Sequence, residues 1–253
     1  MFLKTPNLLS CLFASLLIAS GCDHNKPPQP TLHPDLETHF ILISEGNSGS
    51  ARVRLRQHMD THGESAQPLF LMGLSYHKEK RYIKAVQWFE KSAQFDVPTT
   101  QYPPTWHFLG WSQYYLGNAT ASHEAFNHYL MLNPNEGDSL FGLGLLAMEE
   151  GNFEEASKLF QQSIDVQQDL PKGQAKSKAR LADIREQQGN FSEALQLYRE
   201  ALDLDPDLYE AWYHLATTYK REGMEEECNA ALEMYSVTRT RVRPDLHTTR
   251  FPE

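Results

Sequence analysis

Two histidines are the first side chains that invite a chemical reading. His58 and His62 lie four apart in the run His58-Met59-Asp60-Thr61-His62-Gly63-Glu64, a spacing that could put both imidazoles on one helical face as metal ligands. No third ligand stands at a supporting distance, and the run is not the His-Glu-x-x-His of a metalloprotease. A solvated helix end accounts for the pair, so no metal is expected. His123 and His128 are five apart and do not share a face well. The chain has no glycine loop to cradle a phosphate and no nucleophile elbow. Cys228 sits in no motif and reads as a core thiol. The expectation is therefore no catalytic residue and no cofactor. An enzyme or metal-dependent accessory protein would have to rest on His58 and His62 alone.

Charge narrows the partners. Lys and Arg number 23 against 33 Asp and Glu, a net charge of −10. Such a surface disfavours nucleic acid and anionic lipid heads as general partners. The exception is the C-terminal end, where Arg239, Arg241, Arg243 and Arg250 stand among few acids. It reads as a solvated helix end and a frayed tail over 243–253.

The elements that must position any site repeat along the chain. Turns at Lys80-Arg81-Tyr82, Gly117-Asn118, Gly151-Asn152-Phe153, Gly189-Asn190-Phe191 and Gly223-Met224 follow one another at steps of 37, 34, 38 and 34 residues. A fixed period of this size marks stacked supersecondary units, none of which can bury its apolar face alone. The units run 66–99, 103–136, 137–170, 175–208 and 209–242, with an apolar pattern at helical spacing on each side of every turn. Pro134 and Pro206 stop the second helix of their units. Small residues recur where paired helices must approach: Gly73, Gly110, Gly144, Ala182 and Ala216 in first helices, Ala85, Ala156 and Ala194 in second ones.

Trp106-x-x-Leu109-Gly110 and Trp212-x-x-Leu215-Ala216-x-x-Tyr219 resemble the tetratricopeptide signature, and Ala156-x-x-x-Phe160 and Ala194-x-x-x-Tyr198 resemble its second helix. The resemblance covers 66–242 and implies an all-α, right-handed superhelical solenoid of helix-turn-helix repeats. Cys228 departs from the pattern at a place normally held by alanine. A degenerate repeat is expected at 32–65, with Gly46 at the turn, Ala51 at the small position and Leu55 at the aromatic one. Terminal repeats are atypical because one face meets solvent.

Residues 1–21 read separately. Lys4 precedes an apolar stretch from Leu8 to Ala19, too short to span a bilayer of about 30 Å. The run Ile18-Ala19-Ser20-Gly21-Cys22 resembles a bacterial lipoprotein cleavage box, which implies an acylated Cys22 and removal of 1–21. That leaves 22 basic residues against 33 acidic ones, since only Lys4 departs. Asp23 resembles an inner-membrane retention signal, so a periplasm-facing, inner-membrane lipoprotein is favoured over an outer-membrane one. Residues 22–31 are a proline-rich spacer, and loss of Cys11 with use of Cys22 leaves Cys228 without a disulfide partner.

In this family, first helices line a concave groove that holds a protein or peptide. Carried over, the groove positions are Phe70 and Leu74, then His107, Trp111 and Tyr114, then Phe141, Leu145 and Met148, an apolar and aromatic wall. The later repeats are polar there, with Lys176, Ala179, Asp183, Glu186, Glu210, Tyr213, Thr217 and Lys220. Packing within the superhelix is the alternative fate of the apolar set. Lys176 and Arg180 match part of a carboxylate clamp, but His107, Trp111 and Gly142 replace its other residues, leaving a basic pair that could meet an acidic group. The resulting expectation is a non-enzymatic, lipid-anchored scaffold for an envelope complex, with a homo-oligomer as the competing reading.

Overall fold

The computed structural model describes residues 32–95 and 104–244. These residues form twelve α-helices and, among them, no strand. The expected signal segment, Cys22, Asp23 and the spacer lie outside the described residues, as do residues 245–253 of the tail. No described helix is long and apolar enough to cross a membrane.

The helices pair in chain order. They are α1 (Pro34–Ser44) with α2 (Ser48–His62), α3 (Ala66–Lys78) with α4 (Tyr82–Ala93), and α5 (Thr105–Tyr115) with α6 (Ala119–Leu132). Then come α7 (Gly137–Glu149) with α8 (Phe153–Val166), α9 (Pro171–Gln187) with α10 (Phe191–Leu204), and α11 (Tyr209–Arg221) with α12 (Glu225–Val242). The chain divides into two compact units between Pro134 and Asn135. Within each unit every helix packs on the next, and first helices also touch first helices, as in α3 with α5 and α9 with α11.

The six turns close in one way. In α5, the Gly117 N–H donates to Tyr114 and the Asn118 N–H to Gln113, three and five residues back. The same pair of bonds recurs at Gly46, Lys80, Gly151, Gly189 and Gly223. This closure satisfies the orphan carbonyls at a helix end and needs a left-handed residue. Five turns supply glycine at φ between +74° and +88°, whereas the sixth puts Lys80 at φ +58°. For an L-residue that conformation costs roughly 1–2 kcal/mol.

Close packing inside the hairpins has a single recurring device. A Cβ added to Gly73, Gly110 or Gly144 would stand 2.5, 2.6 or 2.6 Å from the ring of Phe89, Phe126 or Phe160. Each ring thus occupies the space that a side chain on the facing helix would need. In the α9–α10 hairpin Ala182 takes the glycine's place and Tyr198 the phenylalanine's, and both are fully buried. Cys228 lies buried in the same cluster. Buried serines tie hairpins together: Ser92 Oγ donates to the Ala66 carbonyl (2.8 Å) and meets Thr105, while Ser163 Oγ donates to Gly137 (2.8 Å) and meets Ser177.

Candidate functional site

The first unit carries five of the expected groove residues on α3 and α5. Phe70 and Leu74 are fully buried and His107 nearly so, which corrects their reading as an open wall. The reason is packing across hairpins: the Phe70 ring stands 5.8 Å from Phe89 on its own hairpin and 5.7 Å from Phe108 on the next. A ring at this position closes the core before it can face a partner. His107 meets Phe108 edge-on at 5.0 Å and Tyr129 at 5.5 Å. Trp111 is 9% exposed and packs edge-on to Phe126 at 5.3 Å. Tyr114 is half-buried beside Trp111 at 5.7 Å, and Tyr115 is 51% exposed.

Sequence reasoning missed His77 on α3. Its Nδ1 lies 2.8 Å from Ser112 Oγ, and Ser112 Oγ donates in turn to the Phe108 carbonyl at 2.8 Å. With the serine proton so committed, His77 Nδ1 is the donor to Ser112. Rings of Tyr82, Phe108 and Tyr115 stand 5.4, 5.5 and 6.1 Å away. Burial among them, with a smaller contribution from His107, lowers its pKa to about 4.

The paired histidines behave differently. The rings of His58 and His62 stack at 4.5 Å, and His62 Nδ1 sits 3.1 Å from the His58 carbonyl. That ring nitrogen is occupied by its own helix rather than aimed at a shared ion. Among the described residues no group of three or more His, Cys, Asp or Glu is placed to hold a metal.

In the second unit Phe141 is 9% exposed and packs against Phe160 at 5.6 Å, while Leu145 and Met148 are half-buried. Lys176 is half-buried, and Arg180 is committed inward, with Nη1 2.8 Å from Asp183 Oδ2. Arg180 is therefore not a free cation beside Lys176. Asp183 is the hub of a network invisible in the repeat pattern. Its carboxylate also accepts the Tyr198 hydroxyl at 2.6 Å and stands 3.9 Å from His214 Nδ1. Tyr198 reaches Glu186 at 3.3 Å, and Glu186 in turn pairs with Arg221 at 3.2 Å. Burial first, then the Asp183 charge, pushes the Tyr198 pKa up, so the phenol stays a donor. Beyond this hub Tyr213 is 42% exposed and meets Tyr235 at 5.4 Å.

Three family models match, each described as tetratricopeptide repeat, over residues 66–96, 136–207 and 186–241. No curated protein matches in sequence. Among solved structures, PilF of Pseudomonas aeruginosa is similar with a TM-score of 0.67 and 15% identity, covering 83% of this chain and 90% of that one. A tetratricopeptide repeat protein of Parabacteroides merdae matches at 0.62 and 16% identity over 83% and 84%. YrrB, described as having an unusual peptide-binding site, matches at 0.53 and 16% identity over 76% and 93%. With more than half its length in matching models and six hairpins closed by the same turn, the chain belongs to the tetratricopeptide repeat family.

Proposed function

We propose that this chain is a non-enzymatic scaffold, anchored through Cys22 to the inner membrane and facing the periplasm, that receives a protein or peptide segment on its first-helix faces and serves an envelope complex. The observation that carries the reading is that each unit by itself leaves large first-helix side chains half-buried in otherwise ordinary repeats. Large side chains of this kind dominate binding energy where they are covered by a partner. The half-buried members, Tyr114 in the first unit and Leu145 and Met148 in the second, are the contact residues. Trp111 packs beside Tyr114 at 5.7 Å, and Phe70, Leu74, His107 and Phe141 are buried. Lys176 adds a cation to the polar second unit. YrrB, with its peptide-binding site, supports a peptide as the ligand class.

The test is crosslinking in native membranes and mass spectrometry, comparing wild type with Tyr114→Glu/Met148→Glu. Loss of a captured partner with helicity unchanged supports the reading, and equal capture overturns it. The mass of the N-terminal peptide decides the anchor separately, since an unmodified Cys22 rejects it.

Self-association is a second reading, carried by α12. That helix leaves Leu232, Met234, Val237 and Val242 between 36% and 56% exposed. Light scattering over a concentration range reads it directly.

A further inference from the structure

The acid surplus that argues against anionic partners is confined to one part of the molecule. Residues 135–244 hold 21 acids against 12 bases, whereas residues 46–84 hold seven bases against three acids. The structure gathers five of those seven bases at one edge of the first unit. Arg52, Arg81 and Lys84 stand 4.5, 5.0 and 5.7 Å from the ring of Tyr76. Lys80 is exposed beside them, and Lys78 Nζ donates to the Ile43 and Ser44 carbonyls at the end of α1. Glu79 pairs with both Arg52 and Arg81, and among the described residues no ion pair is formed by Lys80 or Lys84. The first turn of α4, which opens here, has no acid, while α8, α10 and α12 carry Glu154 and Glu155, Glu193, and Glu225 to Glu227. Its positive dipole end therefore adds to the cations.

At the centre of the patch Ile83 is 66% exposed, and it shares a shallow depression with Lys80, Arg81, Tyr82, Lys84 and Leu116. An apolar side chain ringed by long cationic ones is the arrangement of an interfacial contact. The isoleucine enters the headgroup layer while the cations reach phosphates. We propose that this edge of the first repeat docks on an anionic phospholipid surface. It rests on the anchor reading only for proximity. Ten residues from Cys22 to Thr31 reach at most about 30 Å, against about 16 Å for the length of α1, so a tether at Cys22 leaves this edge free to meet the bilayer.

The test uses residues 22–253 carrying Cys22→Ser, so that neither an acyl chain nor the apolar stretch from Leu8 to Ala19 contributes. Sedimentation is measured with vesicles of phosphatidylglycerol mixed into phosphatidylcholine, and with phosphatidylcholine alone. Each cation near a charged surface contributes about fivefold in affinity, so Lys80→Glu/Arg81→Glu/Lys84→Glu lowers binding to the anionic vesicles about 100-fold or more. Lys158→Glu/Lys172→Glu/Lys220→Glu, an equal charge change on exposed residues of the second unit, leaves the anionic preference in place. Ile83→Ser weakens binding with the charge intact. Equal binding by wild type and the Lys80 triple variant, with helicity unchanged, overturns the proposal. So does a dimer of wild type lost in the same variant without vesicle binding, which would assign the patch to the acidic unit of a second copy. Failure here leaves the mass of Cys22, and hence the anchor, to be judged separately.

Discussion

Acidification should loosen the first unit through His77. Burial holds this imidazole from its ordinary 6.5 down to about 4. In the unfolded chain it takes up a proton as pH falls through 6.5, whereas in the folded chain it resists until about pH 4. Between those values the unfolded state binds more protons, so stability falls with falling pH. With the two pKa values above, the loss between about pH 7 and about pH 5 comes to about 2 kcal/mol. The physical cause is local: a second ring N–H would have to sit among Tyr82, Phe108 and Tyr115 while Nδ1 stays on Ser112. The assay is urea unfolding followed by tryptophan fluorescence, because three of the four tryptophans (Trp88, Trp106 and Trp111) lie in the first unit. His77→Gln keeps a donor for Ser112 but cannot titrate, so its difference from wild type should shrink by about 2 kcal/mol over that pH range. His39 and His58, also lowered chiefly by burial, titrate in both proteins and cancel in the comparison. A difference that stays flat with pH would refute the reasoning.

Lys80→Gly should stabilise the first unit by about 0.5–1 kcal/mol, because relief of the left-handed strain outweighs the glycine's extra freedom when unfolded; a lower midpoint in urea counts against the turn geometry. Gly110→Ala should cost about 1–3 kcal/mol, since the new methyl meets the Phe126 ring at 2.6 Å. An unchanged melting temperature would show that the ring moves aside freely. Tyr198→Phe removes the donor shared by Asp183 and Glu186 and should cost about 1.5–3 kcal/mol in the second unit, read by denaturant unfolding.

The hairpin period was legible because each turn makes a local demand. A left-handed residue must end the first helix, and glycine or its lysine substitute marks it every time. Small residues at Gly73, Gly110 and Gly144 were legible for the same reason, since one backbone must admit one ring. The fate of Phe70 and Leu74 was not. Whether such a side chain faces a partner or the next hairpin is decided by Phe108, far along the chain, and no local signal carries that. Asp183 likewise read only as a polar groove residue because its partners, Tyr198 and His214, are 15 and 31 positions away and ordinary in isolation.

A sum over the chain likewise erases where the charges stand. At −10 the whole protein should avoid an anionic surface, yet Arg52, Arg81 and Lys84 stand around Tyr76 and Lys80 shares a depression with two of them. Screening confines each charge to about 8–10 Å at physiological salt, so the acids of residues 135–244 weigh only on surfaces they approach within that distance. What a bilayer feels is the edge presented to it. Lys80 sharpens the point, because the turn accepts a strained lysine where five sister turns have glycine. Local fold stability alone would favour glycine there, and a cation at the rim of an exposed isoleucine is what the lysine adds.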